Sequence, residues 1–178
     1  MEVPASLAAL FARHLAAKGL ALARQLRPRA VSAYFPLPNE PPTIELLASL
    51  AEAGFATALP VTGRRGTPLV FRLWCPGDPT LTGKMAIEEP LPEAPEAIPD
   101  LLFVPLAAFD RQGHRIGFGA GFYDLTLSHL RTAREITAVG VAYAAQEFPS
   151  LPHELHDESL DYILTEHGVI DCRAQRSL

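Results

Sequence analysis

Asp100-Leu101-Leu102-Phe103-Val104-Pro105-Leu106 is an unbroken apolar run behind one acid. A strand with one wet face alternates apolar and polar residues, whereas a strand covered on both faces does not. The run therefore predicts a central strand of a parallel sheet with helices above and below it. Ala30 to Phe35 reads as a second buried strand, stopped by Pro36. Ile136 to Tyr143 and Tyr162 to Thr165 read as two more, and Phe55 to Val61 and Leu69 to Cys75 are strand-like. Leu7, Leu10, Phe11, Leu15, Leu22 and Leu26 recur at helical spacing and predict a helix over Leu7 to Leu26. Thr43 is placed as the N-cap of a second helix with Leu46, Leu47 and Leu50 on one face. A third helix is predicted from Phe122 to about Arg131. Strands alternating with helices give an α/β class: a three-layer α/β/α, Rossmann-like arrangement with a mostly parallel sheet. Such sheets bind ligands beyond the carboxyl ends of their strands. The loop after Leu106 is the place to look.

Composition narrows the function classes. The 178 residues fit a single domain, 1–178. With 48% hydrophobic and 20% charged residues, the chain can bury a core and is not a disordered segment. Fifteen Lys and Arg stand against twenty Asp and Glu, a net charge of −5, which excludes a general nucleic-acid binder. The only lysines are Lys18 and Lys84, so a phosphate site has to use arginine or backbone N–H groups. Cys75 and Cys172 have no metal-ligand or redox spacing, and a reducing, cytoplasmic setting without a zinc site is expected. The apolar stretch from Ala5 to Leu26 is broken by Arg13, His14, Lys18 and Arg24, which argues for a helix rather than a membrane span or signal peptide. No membrane partner is expected. The prolines cluster at positions 36–42 and 90–99 and mark loops between structured runs.

The loop after Leu106 carries the chemistry. Gly117, Gly119 and Gly121 alternate, and alternate glycines remove the Cβ atoms that keep an anion away from backbone N–H groups. A helix start follows, where free N–H groups and the helix dipole favour phosphate. Arg115 precedes them as a fixed-charge fork suited to phosphate, and Asp124 falls in the first helical turn, where a carboxylate can hold Mg²⁺ against phosphate oxygens. The spacing is neither G-x-G-x-x-G nor a P-loop with G-K-[ST]. By pattern alone the segment fits a phosphate cradle and a plain flexible turn equally well.

The run PDLLFVPLAAFDRQGHRIGFGAGFYDLTL, from Pro99 to Leu127, resembles the signature of the 5-formyltetrahydrofolate cyclo-ligase family. Collinear segments strengthen the resemblance: AYFPLPNEPPT (Ala33 to Thr43), FRLWCPGDPTLTGKMAIEEP (Phe71 to Pro90), AVGVAYAAQ, and LPHELHDESLDYILTE (Leu151 to Glu166). It spans residues 30–167. The resemblance implies use of Mg²⁺ and ATP to convert 5-formyltetrahydrofolate to 5,10-methenyltetrahydrofolate, with release of ADP and phosphate. It implies that the protein works by positioning and charge stabilisation, without a side-chain nucleophile. It implies an ATP-binding loop made of Arg115, Ile116, Gly117, Phe118, Gly119, Ala120, Gly121, Phe122 and Tyr123, with Arg115, Tyr123 and Asp124 catalytic. Magnesium ligands would be Asp124 and Asp157. Substrate contacts would come from Phe35, Glu40, Trp74, Phe118 and Phe122, with the Glu40 carboxylate on the N–H edge of the pterin. A monomer is expected. Asp161 is assigned a structural role at the start of the last strand.

Two departures set the alternative. The family's opening basic helix with K-x-x-L-R has no counterpart here, since Lys18 is followed by Gly19-Leu20-Ala21-Leu22. Ala120 stands where some members carry lysine. Losing charged phosphate contacts, at roughly 1.5–3 kcal/mol each, leaves open a non-catalytic or truncated relative that binds reduced folate or a nucleotide. An enzyme of similar architecture acting on another phosphate ligand is the third reading.

Overall fold

The computed structural model of the chain describes residues 5–176. Its strands are β1 (Ala30–Ser32), β2 (Ala56–Val61), β3 (Val70–Leu73), β4 (Thr80–Thr82), β5 (Glu88–Pro90), β6 (Glu96–Ala97), β7 (Leu101–Pro105), β8 (Ala108–Phe109), β9 (Arg115–Ile116), β10 (Thr137–Val141), β11 (Tyr162–Thr165) and β12 (Gly168–Asp171). Its α-helices are α1 (Ala5–Leu26), α2 (Ile44–Glu52), α3 (Phe122–Arg131) and α4 (Cys172–Arg176). Eight strands form one sheet in the order β12-β11-β10-β7-β1-β2-β3-β6. The run from β11 through β10, β7 and β1 to β2 is parallel. The margins β3, β6 and β12 are antiparallel, and β4–β5 and β8–β9 are small separate hairpins.

The Asp100 run behaves as its composition requires. Leu101, Leu102, Phe103 and Val104 are all 0% exposed. The pleat sends Leu101 and Phe103 to one face, among Phe11, Leu15, Leu46, Leu47 and Leu50 of α1 and α2. Leu102 and Val104 go to the other face, with Leu127 of α3 and Ile163 of β11. A fully buried side chain of this size contributes about 1.5–3 kcal/mol, so this one strand anchors both layers. By length and composition α1 could cross a bilayer. Here it is a core helix, with Phe11, Leu15 and Ala23 fully buried.

Several boundaries differ from expectation. The strand predicted over Ala30 to Phe35 ends at Ser32. Beyond it the Tyr34 carbonyl accepts the Thr43 hydroxyl at 2.6 Å, and the Tyr34 hydroxyl donates to the Pro41 carbonyl at 2.9 Å, so the chain leaves the ladder to fold back on itself. For the same reason Thr43 precedes α2 without capping it through its side chain. Leu7 and Leu10 lie on the exposed side of α1 at 37% and 56%. The strand predicted over Leu69 to Cys75 covers Val70–Leu73 and runs antiparallel to β2. The connection from β2 to β3 is short, and a short connection can only reverse the chain.

The chain leaves β1 through α2 to reach β2 on one side, and leaves β7 through α3 to reach β10 on the other. The order in which strands are added therefore reverses between the parallel neighbours β1 and β7, which opens a crevice at their carboxyl ends.

Candidate active site

A cleft of about 780 Å³ occupies that crevice. Tyr34, Phe35 and Glu40 reach it from the segment after β1, Pro60 and Thr62 from the end of β2, and Pro105 from the end of β7. The whole run from Arg115 to Leu125 lines it, as do Pro152 and Leu155 to Glu158. Its volume suits a substantial organic ligand.

The β8–β9 hairpin delivers Arg115 to the floor. Its side chain is 5% exposed, and one terminal nitrogen donates to Asp124 Oδ1 at 2.7 Å. Its Nε is buried without a partner among the described residues. A buried guanidinium with an unspent donor is poised for an anion that is not protein. Gly121 sits at the N-cap of α3 with φ +67°, and no side chain caps that end. An L-residue is strained there, so glycine lets the loop turn into the helix with its first N–H groups open.

Asp124 Oδ1 also accepts the Glu158 N–H at 3.1 Å. Asp157 Oδ2 accepts the Glu154 N–H at 2.7 Å. From the far end of α3, Arg131 grips the same segment, donating to Glu158 Oε2 at 2.6 Å, the Ser159 carbonyl at 2.9 Å and Asp161 Oδ2 at 3.1 Å. Asp161 Oδ2 further accepts the Ala138 N–H at 2.9 Å, the structural position assigned to it. Mg²⁺ is held by one or two carboxylates with phosphate oxygens and water, not by an all-protein cage. Asp124 and Asp157 fit that pattern. Both line the cleft, and among the described residues no donor reaches Asp124 Oδ2. No group of three or more His, Cys, Asp or Glu is gathered for a metal among the described residues.

At the other end, Glu40 Oε2 accepts the Leu37 N–H at 2.8 Å. Burial raises its carboxyl above the ordinary value, and the Leu37 bond only partly opposes this. Burial, reinforced by the Glu40 charge, also raises the phenols of Tyr34 and Tyr123, with Arg115 opposing at Tyr123. These groups thus share one partly desolvated corner. Phe35 lines the cleft, as do Phe122 and Phe118, the last 60% exposed at its mouth.

Trp74, expected at the substrate, does not line the cleft. It is 5% exposed, lies outside the cleft, and stacks edge-on behind Phe35 with ring centroids 6.2 Å apart. Its indole N–H donates to the Asp78 carbonyl at 3.2 Å. This large ring, just past the end of β3, fills the core and supports the cleft wall. The fold brings every other expected site residue to the cleft. Sequence reading missed Tyr34, Met85 and Leu155 as lining residues and Asp110, His114 and Arg131 as supports. Met85 and Ala86 have φ +66° and +57°, a strained turn that no sequence signal marks. Asp110 had a signal, since an Asp three residues before a glycine is a turn pattern.

The chain matches the 5-formyltetrahydrofolate cyclo-ligase family over residues 5–166, a span that includes α1. It is 34% identical over 154 residues to the 5-formyltetrahydrofolate cyclo-ligase of Mycolicibacterium smegmatis, covering 82% of this chain and 78% of that one. The cyclo-ligase of Haemophilus influenzae is 34% identical over 150 residues, covering 82% and 80%. Among solved structures, the 5,10-methenyltetrahydrofolate synthetase of Aquifex aeolicus superposes with a TM-score of 0.69 at 29% identity, over 91% of this chain and 83% of that one. The synthetase of Mycoplasma pneumoniae superposes at 0.70 with 20% identity, a likeness of fold.

Proposed function

The chain belongs to the 5-formyltetrahydrofolate cyclo-ligase family, and from that premise we infer how its own residues carry out the reaction. It is an ATP-dependent ligase that converts 5-formyltetrahydrofolate to 5,10-methenyltetrahydrofolate. The observation that carries the assignment of roles is the buried Arg115, paired to Asp124 with its Nε unpartnered, lining the same cleft as the uncapped start of α3.

The formyl oxygen attacks the γ-phosphorus and ADP leaves. N10 then attacks the formyl carbon, the carbon–oxygen bond breaks, phosphate departs and N10 gives up its proton. The protein's part is alignment and charge. Arg115 and the backbone N–H groups of Gly117 to Tyr123 receive the phosphates. Asp124 and Asp157 would hold Mg²⁺, which would supply charge to spread over the transferring phosphoryl group. Phe35, Phe118 and Phe122 enclose the folate rings, and the Glu40 carboxylate accepts N–H groups of the pterin. Tyr123, raised well clear of ionisation at neutral pH, serves as a neutral hydroxyl between the two halves of the site. The enzyme acts as a cytoplasmic monomer in this reading, and the net charge of −5 speaks against a nucleic-acid partner.

The test follows methenyl absorbance and ADP together in the presence of Mg-ATP and 5-formyltetrahydrofolate. Matched appearance is expected, with Arg115→Ala and Asp124→Asn each lowering kcat/KM by about 10²–10³. Folate binding without ADP release in the parent protein would sink the enzymatic reading and favour the non-catalytic relative.

A further inference from the structure

The segment from Leu151 to Glu158 carries Asp157 and yet belongs to no helix or strand. Its residues from Pro152 to Asp157 are all exposed. An exposed loop of this kind does not by itself hold a carboxylate in a fixed place. Its far end is tied down through the Glu158 N–H on Asp124 and Arg131 on the Glu158 carboxylate. What fixes the near end is a cluster outside the cleft.

Asp110, 1% exposed, closes the turn of the β8–β9 hairpin. Its Oδ1 accepts the N–H groups of Gln112 at 3.0 Å and His114 at 3.1 Å. Its Oδ2 faces His114 Nδ1 at 2.9 Å and accepts the Leu151 N–H at 3.1 Å. The carboxylate is acceptor-only, so His114 carries its proton on Nδ1 and its ring plane is locked. On that plane lies His153, with ring centroids 3.7 Å apart and 7° between planes. His114 directly precedes Arg115, and His153 lies four residues before Asp157 in the chain. One stacked pair thus ties the hairpin that presents the arginine to the loop that presents the second acid.

We propose that the His114–His153 stack, seated on Asp110, positions the Asp157 loop against the Arg115–Asp124 pair and so sets the affinity for Mg-ATP. The pair touches no substrate, and both histidines are positioning residues. The proposal rests on the reading of Arg115, Asp124 and Asp157 as the Mg-ATP site. The stack needs a flat ring and not a charge, because the locked ring of His114 is held by Asp110 whatever faces it. A phenyl ring at position 153 keeps the contact, and a methyl group does not.

The test compares His153→Ala with His153→Phe. His153 is exposed, so neither change removes core packing. Steady-state kinetics should show the KM for Mg-ATP rising about tenfold in His153→Ala, with the KM for 5-formyltetrahydrofolate within twofold of the parent. His153→Phe should return the Mg-ATP KM to within about threefold. Amide hydrogen exchange over residues 151–158 should speed up about tenfold in His153→Ala and stay near parent rates in His153→Phe. An unchanged Mg-ATP KM in His153→Ala, an equal rise in both KM values, or exchange unaffected by the loss of the ring would each overturn the proposal. Exchange is read without turnover. A parent protein that makes no methenyl product would defeat the enzymatic reading, while exchange in the two variants would still decide whether the stack holds the loop.

Discussion

Glu40 shows a conflict between stability and use. Its carboxyl is raised by burial, so the folded protein binds its proton more tightly than the unfolded chain does. For a raised carboxyl the stabilising contribution is complete below the unfolded value near pH 4.3 and is lost as pH rises through the folded value. At pH 7 the ionised group therefore works against folding. Glu40→Gln should raise the melting temperature at pH 7, and the gain over the parent should shrink as the pH is lowered toward 4. The same change should raise the KM for 5-formyltetrahydrofolate while leaving that for Mg-ATP in place. Melting curves at two pH values with paired KM measurements check both halves. Asp110 has the opposite sign. Burial would raise its carboxyl, but the His114 ring and the Leu151 and His114 amides together hold it below the ordinary value. Its contribution is present above the unfolded value near pH 3.9 and is lost as pH falls through the folded one. Asp110→Ala strands its buried donors and should lower stability at pH 7 by about 3–5 kcal/mol, read from urea titration.

Among the elements, the β8–β9 hairpin is small but central to the site, because Asp110 and Arg115 flank its turn. Its docking depends on Gly113, which has φ +91° and whose missing Cβ would lie 2.4 Å from the Leu160 carbonyl oxygen. The Leu160 N–H donates to the Gly113 carbonyl at 2.9 Å, so the two backbones touch directly. Gly113→Ala combines a strained φ with a backbone clash. It should lower stability by about 1–3 kcal/mol or more and raise the KM for Mg-ATP, since Arg115 moves with the hairpin. Denaturant titration and ATP kinetics on the same preparation test this, and an unchanged midpoint would contradict the packing described. Helix α3 has a parallel role. Asp124 in its first turn and Arg131 in its last both grip the chain around Glu158, so the helix acts as a fixed ruler for the acid pair.

For the whole molecule, the cleft lies where strand order reverses, and its walls come from segments far apart in sequence. Ligand binding therefore ties together parts of the chain that unfolding separates. Mg-ATP at about a hundred times its Kd should stabilise the protein by about 2.7 kcal/mol. The shift should vanish in Asp124→Asn and shrink when EDTA removes the metal. A thermal shift with ATP that is indifferent to EDTA would argue against the two aspartates as magnesium ligands.

The sequence determined the central strand and its two covered faces, because an unbroken apolar run is stable only between two layers, and Leu101 to Val104 are buried as that requires. It determined α3, expected from Phe122 to about Arg131 and found over Phe122–Arg131, and the glycine loop before it, because local spacing and φ requirements are written in the chain. It also carried the family resemblance, since the signature from Pro99 to Leu127 is contiguous. It marked β3 as a strand but not its antiparallel pairing, and it did not determine β6, β12 or the small hairpins, whose few residues have no periodicity to read and whose pairing depends on neighbours already in place. The place of Trp74 behind Phe35 was not legible either, because an aromatic ring in an apolar run reads alike whether it faces a ligand or backs another ring. Only the tertiary structure decided that Arg115 is buried against Asp124, that the Asp157 loop folds over them, and that His114 meets His153. Those contacts join residues 9 to 39 positions apart. Contacts over such separations are set by packing of the elements between them and leave no local trace in the chain.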